Sequence, residues 1–290
     1  MNKQEIDPYE NELGLCHVQE APTFPTEWWV LDKPLETFEG EDISEAGTFE
    51  VDLFARHDGI PAHRQEMLDN SRTVLVGGGG LNGAAGLALV RSGARHLTII
   101  DPDRAELSNL SRQFFFKEDL GLPKGIRLAK NLRSHAFLGG TITGIGVPFE
   151  VAVDDYPLPA DIFVVGVDNN LCRLKAVIEA RRRRIPAVFS MLSSDGMRGR
   201  VFLQGPSPLD PCLWCALPDL DPIASMPCVS AIISACFMVA AHTVFLVHRA
   251  VMGWGGMEPF NWRELDLTGS STERIGRVEK RKGCSVCYGL

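Results

Sequence analysis

Val74-Leu75-Val76-Gly77-Gly78-Gly79-Gly80-Leu81-Asn82-Gly83, continuing into Ala84-Ala85-Gly86-Leu87-Ala88-Leu89-Val90, is the stretch that decides the fold class. A β-branched apolar run passes into glycines and then into a helix of small residues. Leu97-Thr98-Ile99-Ile100-Asp101 follows as a second short strand ending in an acid. Strand, glycine turn, helix, strand and acid is the order of a nucleotide-binding βαβ unit. Glycines let the backbone approach a phosphate or ribose, and the helix N-terminus favours the anion. An acid about twenty residues on can accept hydrogen bonds from ribose hydroxyls. The spacing Gly77-x-Gly79-x-x-Asn82 lacks the third glycine of the dinucleotide fingerprint. Taken alone, the segment also fits a tight strand-to-helix turn with no ligand.

Working outward, Asp101-Pro102-Asp103 leads to Leu107-Ser108-Asn109-Leu110-Ser111-Arg112-Gln113 and then to Gly121-Leu122-Pro123-Lys124. Hydride transfer needs no cationic pair here, whereas a triphosphate does, because Arg and Lys neutralise charge on phosphoryl oxygens. A third strand, Ile162-Phe163-Val164-Val165-Gly166-Val167, ends in Asp168-Asn169. A carboxylate at the carboxyl end of a parallel strand suits magnesium on phosphates. Each residue alone reads as a solvated charge or a cap. The ordered set Gly80, Asp101, Asn109, Arg112, Lys124 and Asp168 reads as a triphosphate site.

These residues resemble the ThiF/MoeB/HesA superfamily, adenylating enzymes that activate ubiquitin-like proteins. The resemblance rests on Val76 to Asn82, Asp101 to Asp103, Ser108 to Gln113, Pro123-Lys124 and Asp168-Asn169, and runs from near Phe54 to the C-terminus. Asn82 departs from it, standing where the family's turn has its last glycine. Arg56-His57 and Gln65 to Arg72 are similar to the family's N-terminal helix. Val188-Phe189-Ser190 and Gly199 to Leu203 are similar to the antiparallel strands that finish its sheet.

Cys212-Leu213-Trp214-Cys215 and Cys284-Ser285-Val286-Cys287 are two C-x2-C knuckles, which together give the ligand count of a closed structural zinc site. Disulfides and a redox C-x-x-C are the alternatives. They fit less well, since nothing marks the chain as secreted and no thioredoxin-like context surrounds either pair. The resembled family carries the same two-knuckle zinc.

With 290 residues, 45% of them hydrophobic, the chain can build one large α/β core. A net charge of −8 argues against nonspecific nucleic-acid binding. Met1 to Asp7 are polar and lead into no apolar core, so no signal peptide is expected, and the unpaired cysteine usage fits a reducing cytoplasm. Val229 to Met252 is apolar enough to raise a membrane span, but His242, His248 and Arg249 interrupt it and a buried core helix is expected. Arg181 to Arg184 end a helix, where the dipole accounts for cations; a protein-docking patch is the other reading. Residues 1–50, acidic and punctuated by Pro8, Pro22, Pro25 and Pro34, read as an arm or small appended region. Their apolar cluster is Trp28-Trp29-Val30-Leu31.

The expected architecture is a doubly wound, Rossmann-like, mixed parallel and antiparallel sheet over residues 51–290, with knuckles at 212–215 and 284–287. By resemblance, the reaction is attack of a C-terminal carboxylate of a ubiquitin-like or sulfur-carrier protein on the α-phosphate of ATP, releasing pyrophosphate. Arg112 and Lys124 would hold phosphates, Asp168 magnesium and Asp101 the ribose. Asn109 and Gln113 would orient the phosphates, and Gly77, Gly79, Gly80 and Asn169 would line the nucleotide. The resemblance further implies a homodimer in which Arg56 reaches the neighbour's ATP. It also makes Cys228, just before the long apolar helix, a candidate acyl acceptor, the alternative being a packing cysteine. Other readings are adenylation of a peptide or small carboxylate, an NAD(P)-dependent oxidoreductase, and a non-catalytic partner of an active enzyme.

Overall fold

The computed structural model describes residues 53–221, 230–254, 260–269 and 273–288. The region 1–50 and Cys228 lie outside the described residues. A short helix, α1 (Gln65–Asp69), leads into β1 (Arg72–Val76), α2 (Gly80–Arg91) and β2 (His96–Ile100). Then come α3 (Lys124–Arg133), β3 (Thr141–Ile145), α4 (Phe149–Asp155), β4 (Ile162–Val165), α5 (Asn170–Arg183) and β5 (Ala187–Leu192). The chain finishes with β6 (Arg198–Gln204), α6 (Leu213–Ala216), α7 (Ile233–Met252), β7 (Trp262–Asp266), β8 (Arg274–Gly276) and α8 (Ser285–Tyr288).

The strands form one eight-stranded sheet in the order β3-β2-β1-β4-β5-β6-β7-β8. β4 is buried along its whole length and β1 beyond its first residue, as expected of parallel strands covered on both faces. Leu75, Ile99 and Val164 face α2, α3 and α7, while Val74, Val76, Phe163 and Val165 face α4, α5 and α6. One expectation needs correction. Val188-Phe189-Ser190 belongs to β5, which pairs parallel with β4 and antiparallel with β6. The return from β4 runs through α5, and a helical crossover restores strand direction. The tight turn at 193–197 between β5 and β6 reverses it. The sheet therefore changes type at β5, one strand later than the sequence suggested.

α7 is long and apolar enough to cross a membrane by length and composition. Its Ala235, Cys236, Val239, Ala240, Val244 and Val247 are buried in the core, as expected of a core helix, while Ile233 and Phe237 face outward. The arginine run is used locally. Arg181 donates to the carbonyls of Ser207 and Asp210, and Arg182 and Arg183 pair with Glu179 at 2.7 and 2.6 Å. Arg184 closes α5 in the left-handed region.

Candidate nucleotide site and tetra-cysteine cluster

The carboxyl ends of β1, β2 and β4 meet where the strand order reverses, the usual ligand crevice of an open α/β sheet. Gly77 turns there with φ +94°, and a Cβ on it would lie 2.9 Å from Val167 Cγ1. Only glycine fits this turn. The Gly78 N–H donates to Asp101 Oδ2 at 2.6 Å, and the Asp103 N–H to Asp101 Oδ1 at 2.8 Å. Burial, and then the neighbouring Asp103, push the Asp101 carboxyl up to about 6 against the pull of the Gly78 N–H and Lys124. Lys124, the first residue of α3, is buried with its Nζ 3.1 Å from Asp103 Oδ2. A cation in the first turn of a helix opposes the dipole, and here the carboxylates of Asp103 and Asp101 offset that cost.

The N-terminus of α2 has no side-chain cap, which leaves its first N–H groups available to an anion. Segment 109–113 lies over this end. A Cβ on Gly80 would come within 3.1 Å of Arg112 O and 2.8 Å of Cys236 Sγ. The Arg112 guanidinium donates to Ser108 O at 2.7 Å. Gln113 stands over Gly79, and its Oε1 is buried without a partner. Asn109 Oδ1 accepts from the Glu106 N–H at 3.0 Å and closes the turn that presents Arg112. The next turn is pinned by Asp119, fully buried, which accepts from Phe116 N, Asn131 Nδ2 and Arg127 Nε at 2.8, 2.7 and 2.5 Å. Although burial raises this carboxyl, these donors hold it below the usual carboxylate range.

Asp168 is exposed at the end of β4. Asn169 beside it caps α5, accepting from the N–H groups of Leu171 and Cys172 at 2.8 and 3.1 Å. Behind them the buried Arg173 donates to Val167 O and, at 2.6 Å, to Asn170 Oδ1. Burial brings Arg173 down to about 10, with Asp168 pulling the other way. Asn170 in turn donates to Asp221 O at 2.8 Å. Arg56 does not join this cluster. It is exposed in the turn after Phe54, whose ring faces Gly93 beyond the far end of α2, a helix about 18 Å long.

The second cluster brings the two knuckles together. Sγ separations are 3.9 Å for Cys212–Cys215, 3.6 Å for Cys212–Cys284 and 3.5 Å for Cys215–Cys287, with all four sulfurs within 4.8 Å of one another. A tetrahedron with metal–sulfur bonds of ~2.3 Å has sulfur edges of ~3.8 Å, so the cluster could hold a metal with little movement. Burial pushes the Cys212 and Cys287 thiols up, while, against burial, the N–H groups of Cys287 and Val286 and the neighbouring thiols draw Cys284 down, so the first proton of the cluster leaves from Cys284.

Sequence reading missed Asp119, Arg173, Asn170 and the contact of Cys236 with Gly80. A signal existed for Arg173, a cation near the first turn of α5. Asp119 sits in Lys117-Glu118-Asp119, which looks like an ordinary solvated charge run.

The ThiF family model matches residues 53–286. The sulfur carrier protein ThiS adenylyltransferase of Bacillus subtilis is 32% identical over 233 residues, covering 77% of this chain and 66% of that protein. The molybdopterin-synthase adenylyltransferase of Escherichia coli is 26% identical over 230 residues, covering 77% of this chain and 89% of that protein. Among solved structures, E. coli MccB with MccA-N7isoASN superposes with a TM-score of 0.66 at 19% identity, over 77% of this chain and 68% of that one. This last likeness is one of fold.

Proposed function

Given that the chain belongs to the ThiF family, we propose that it is an ATP-dependent adenylyltransferase acting on the C-terminal carboxylate of a ubiquitin-like or sulfur-carrier protein. The observation that carries this reading is the buried Asp101 held by the Gly78 N–H, with Lys124 beside Asp103 and the Arg112 backbone against Gly80 at the N-terminus of α2. A carboxylate here accepts ribose hydroxyls, while the helix end and the cations take phosphates. Asp168, an exposed oxygen ligand at the sheet edge, suits magnesium, which when bound would neutralise charge on the phosphates. A substrate carboxylate oxygen then bonds to the α-phosphorus, the bond to the bridging oxygen breaks, and pyrophosphate leaves with the electron pair. Arg112 and Lys124 favour this step by offsetting the charge that builds on the departing group. No protein base is required, since the nucleophile is already an anion.

The names of the relatives support the substrate class, and the sulfur geometry supports zinc as a structural staple. The same reading makes the protein a cytoplasmic homodimer whose Arg56 serves the partner's nucleotide. Mixing inactive Arg56→Ala with inactive Asp168→Ala chains should then restore activity. Cys228 would attack the acyl-adenylate carbonyl as thiolate, releasing AMP and leaving a thioester; Cys228→Ala should keep adenylation and lose any reductant-sensitive adduct. The decisive experiment is ATP–pyrophosphate exchange with candidate small carrier proteins, with short peptides and with no addition. Exchange that requires a carrier protein with a free C-terminal carboxylate supports the reading. Exchange with peptides alone moves the substrate class, and none with either, despite bound ATP, overturns it.

A further inference from the structure

Asn82 occupies the third position of α2, fully buried, where a polar amide is costly unless its hydrogen bonds are made; its Nδ2 is fully engaged, while its Oδ1 is buried without a partner. Its Nδ2 lies 2.8 Å from Val76 O, 3.0 Å from Gly77 O and 3.1 Å from Val164 O. Two amide hydrogens thus serve three carbonyls: the last of β1, the first of the glycine turn, and one from β4 across the crevice. The Gly166 N–H also donates to Val76 O at 3.0 Å, so this carbonyl joins the two edges twice. On its other side the amide fills the space above Gly166. A Cβ there would lie 2.5 Å from Asn82 Oδ1 and 2.7 Å from Cγ, and the three atoms nearest to it all belong to Asn82. Gly166 has no positive φ, so it is the nearby Asn82 amide, and not the backbone conformation, that a side chain there would first meet. Asp168 follows two residues later.

We propose that Asn82 is a positioning residue that fastens the Gly77–Gly79 turn to the Gly166–Asp168 loop, and so fixes the spacing between the phosphate cradle and the magnesium carboxylate. The proposal rests on the nucleotide reading above. A glycine at 82, the residue the family's turn carries there, would free Gly77 O and Val164 O from this shared donor. The two edges of the crevice would then be joined there by the β1–β4 ladder and the Gly166 N–H to Val76 O bond alone, without the side-chain bridge. The fastener acts where the strand order reverses, with one side-chain nitrogen of α2 reaching Val76 O of β1 and Val164 O of β4.

The test is a two-by-two set: wild type, Asn82→Gly, Gly166→Ala and the double variant. Thermal melting is measured without nucleotide, and ATP affinity with magnesium and with EDTA, well below every melting temperature. Gly166→Ala should lower the melting temperature sharply in the Asn82 background and little in the Asn82→Gly background, because the new methyl takes the vacated space. Asn82→Gly should weaken magnesium-ATP binding about tenfold, yet change binding in EDTA by no more than about threefold. A fold-stabilising role alone would not separate those two affinities. Additive melting shifts would overturn the packing claim, and equal losses with magnesium and with EDTA would overturn the positioning claim. A wild type that binds no ATP would instead overturn the nucleotide reading, and the positioning claim with it, while the melting cycle still judged the packing.

Discussion

Two buried polar clusters in this protein differ in how complete they are. At the knuckles, four sulfurs already sit at nearly tetrahedral separations and tie α6 to α8. At the crevice, Asp101 is pushed up to about 6 and Gln113 Oε1 is buried without a partner. Each of these features costs stability in the free protein, as residues kept for a ligand do, and the proposed nucleotide would offset both. The first cluster has the character of a staple, the second that of a site. The contrast separates structural from chemical polar residues without reference to any relative.

Removing parts of each cluster should therefore have different readouts. The largest effect belongs to the crevice. Asp168→Ala should abolish carrier-dependent ATP–pyrophosphate exchange, and Arg112→Ala should lower it by at least ~100-fold, with melting temperatures near that of wild type. Near-normal exchange in both variants would place the chemistry elsewhere. Cys284→Ser should do the reverse. Purified protein should carry one zinc per chain, and the variant should lose it together with several degrees of thermal stability, because metal–thiolate bonds contribute folding free energy. Metal analysis finding no zinc after zinc-replete, reducing expression would remove the staple reading.

The same contrast explains what could be read from sequence. The β1 run, the glycine turn and the two knuckles are local patterns whose meaning survives without partners, and each stands where expected. Asn109 and Asn169 stand out in the sequence as ligand candidates, and the structure adds a second use, since each accepts from backbone N–H groups of its own turn. A short amide side chain suits either task equally well. Asp119 and Arg173 acquire their roles from Arg127, Asn131, Val167 and Asn170, contacts that appear only when loops and helices are assembled. Asn82, visible as a departure from the expected glycine, becomes meaningful only beside Val164 and Gly166.

The finest discrimination comes from the pH dependence of Asp101. Its pKa in the free protein, about 6, lies above the ordinary 3.8. A carboxyl shifted in this direction penalises the fold above pH 6, by at most about 3 kcal/mol, and the penalty fades as pH falls from 6 toward 3.8. On the proposed reading ribose hydroxyls donate to the ionised form, so nucleotide binding would hold Asp101 as the anion and below pH 6 would release its proton. Affinity should therefore fall as pH falls, by about tenfold between pH 7.5 and pH 5, in addition to whatever the ATP phosphates contribute by themselves. Calorimetric titration of wild type and Asp101→Asn over this range separates the two, because the variant retains only the phosphate contribution. Nucleotide-free stability has the opposite sign, with the Asp101 contribution improving on mild acidification. Asp119 adds no slope there, since its carboxyl is held below the usual range and stays ionised. Parallel affinity profiles for wild type and Asp101→Asn would mean that the carboxylate meets no ribose and that its burial is structural, like the sulfurs at the other cluster.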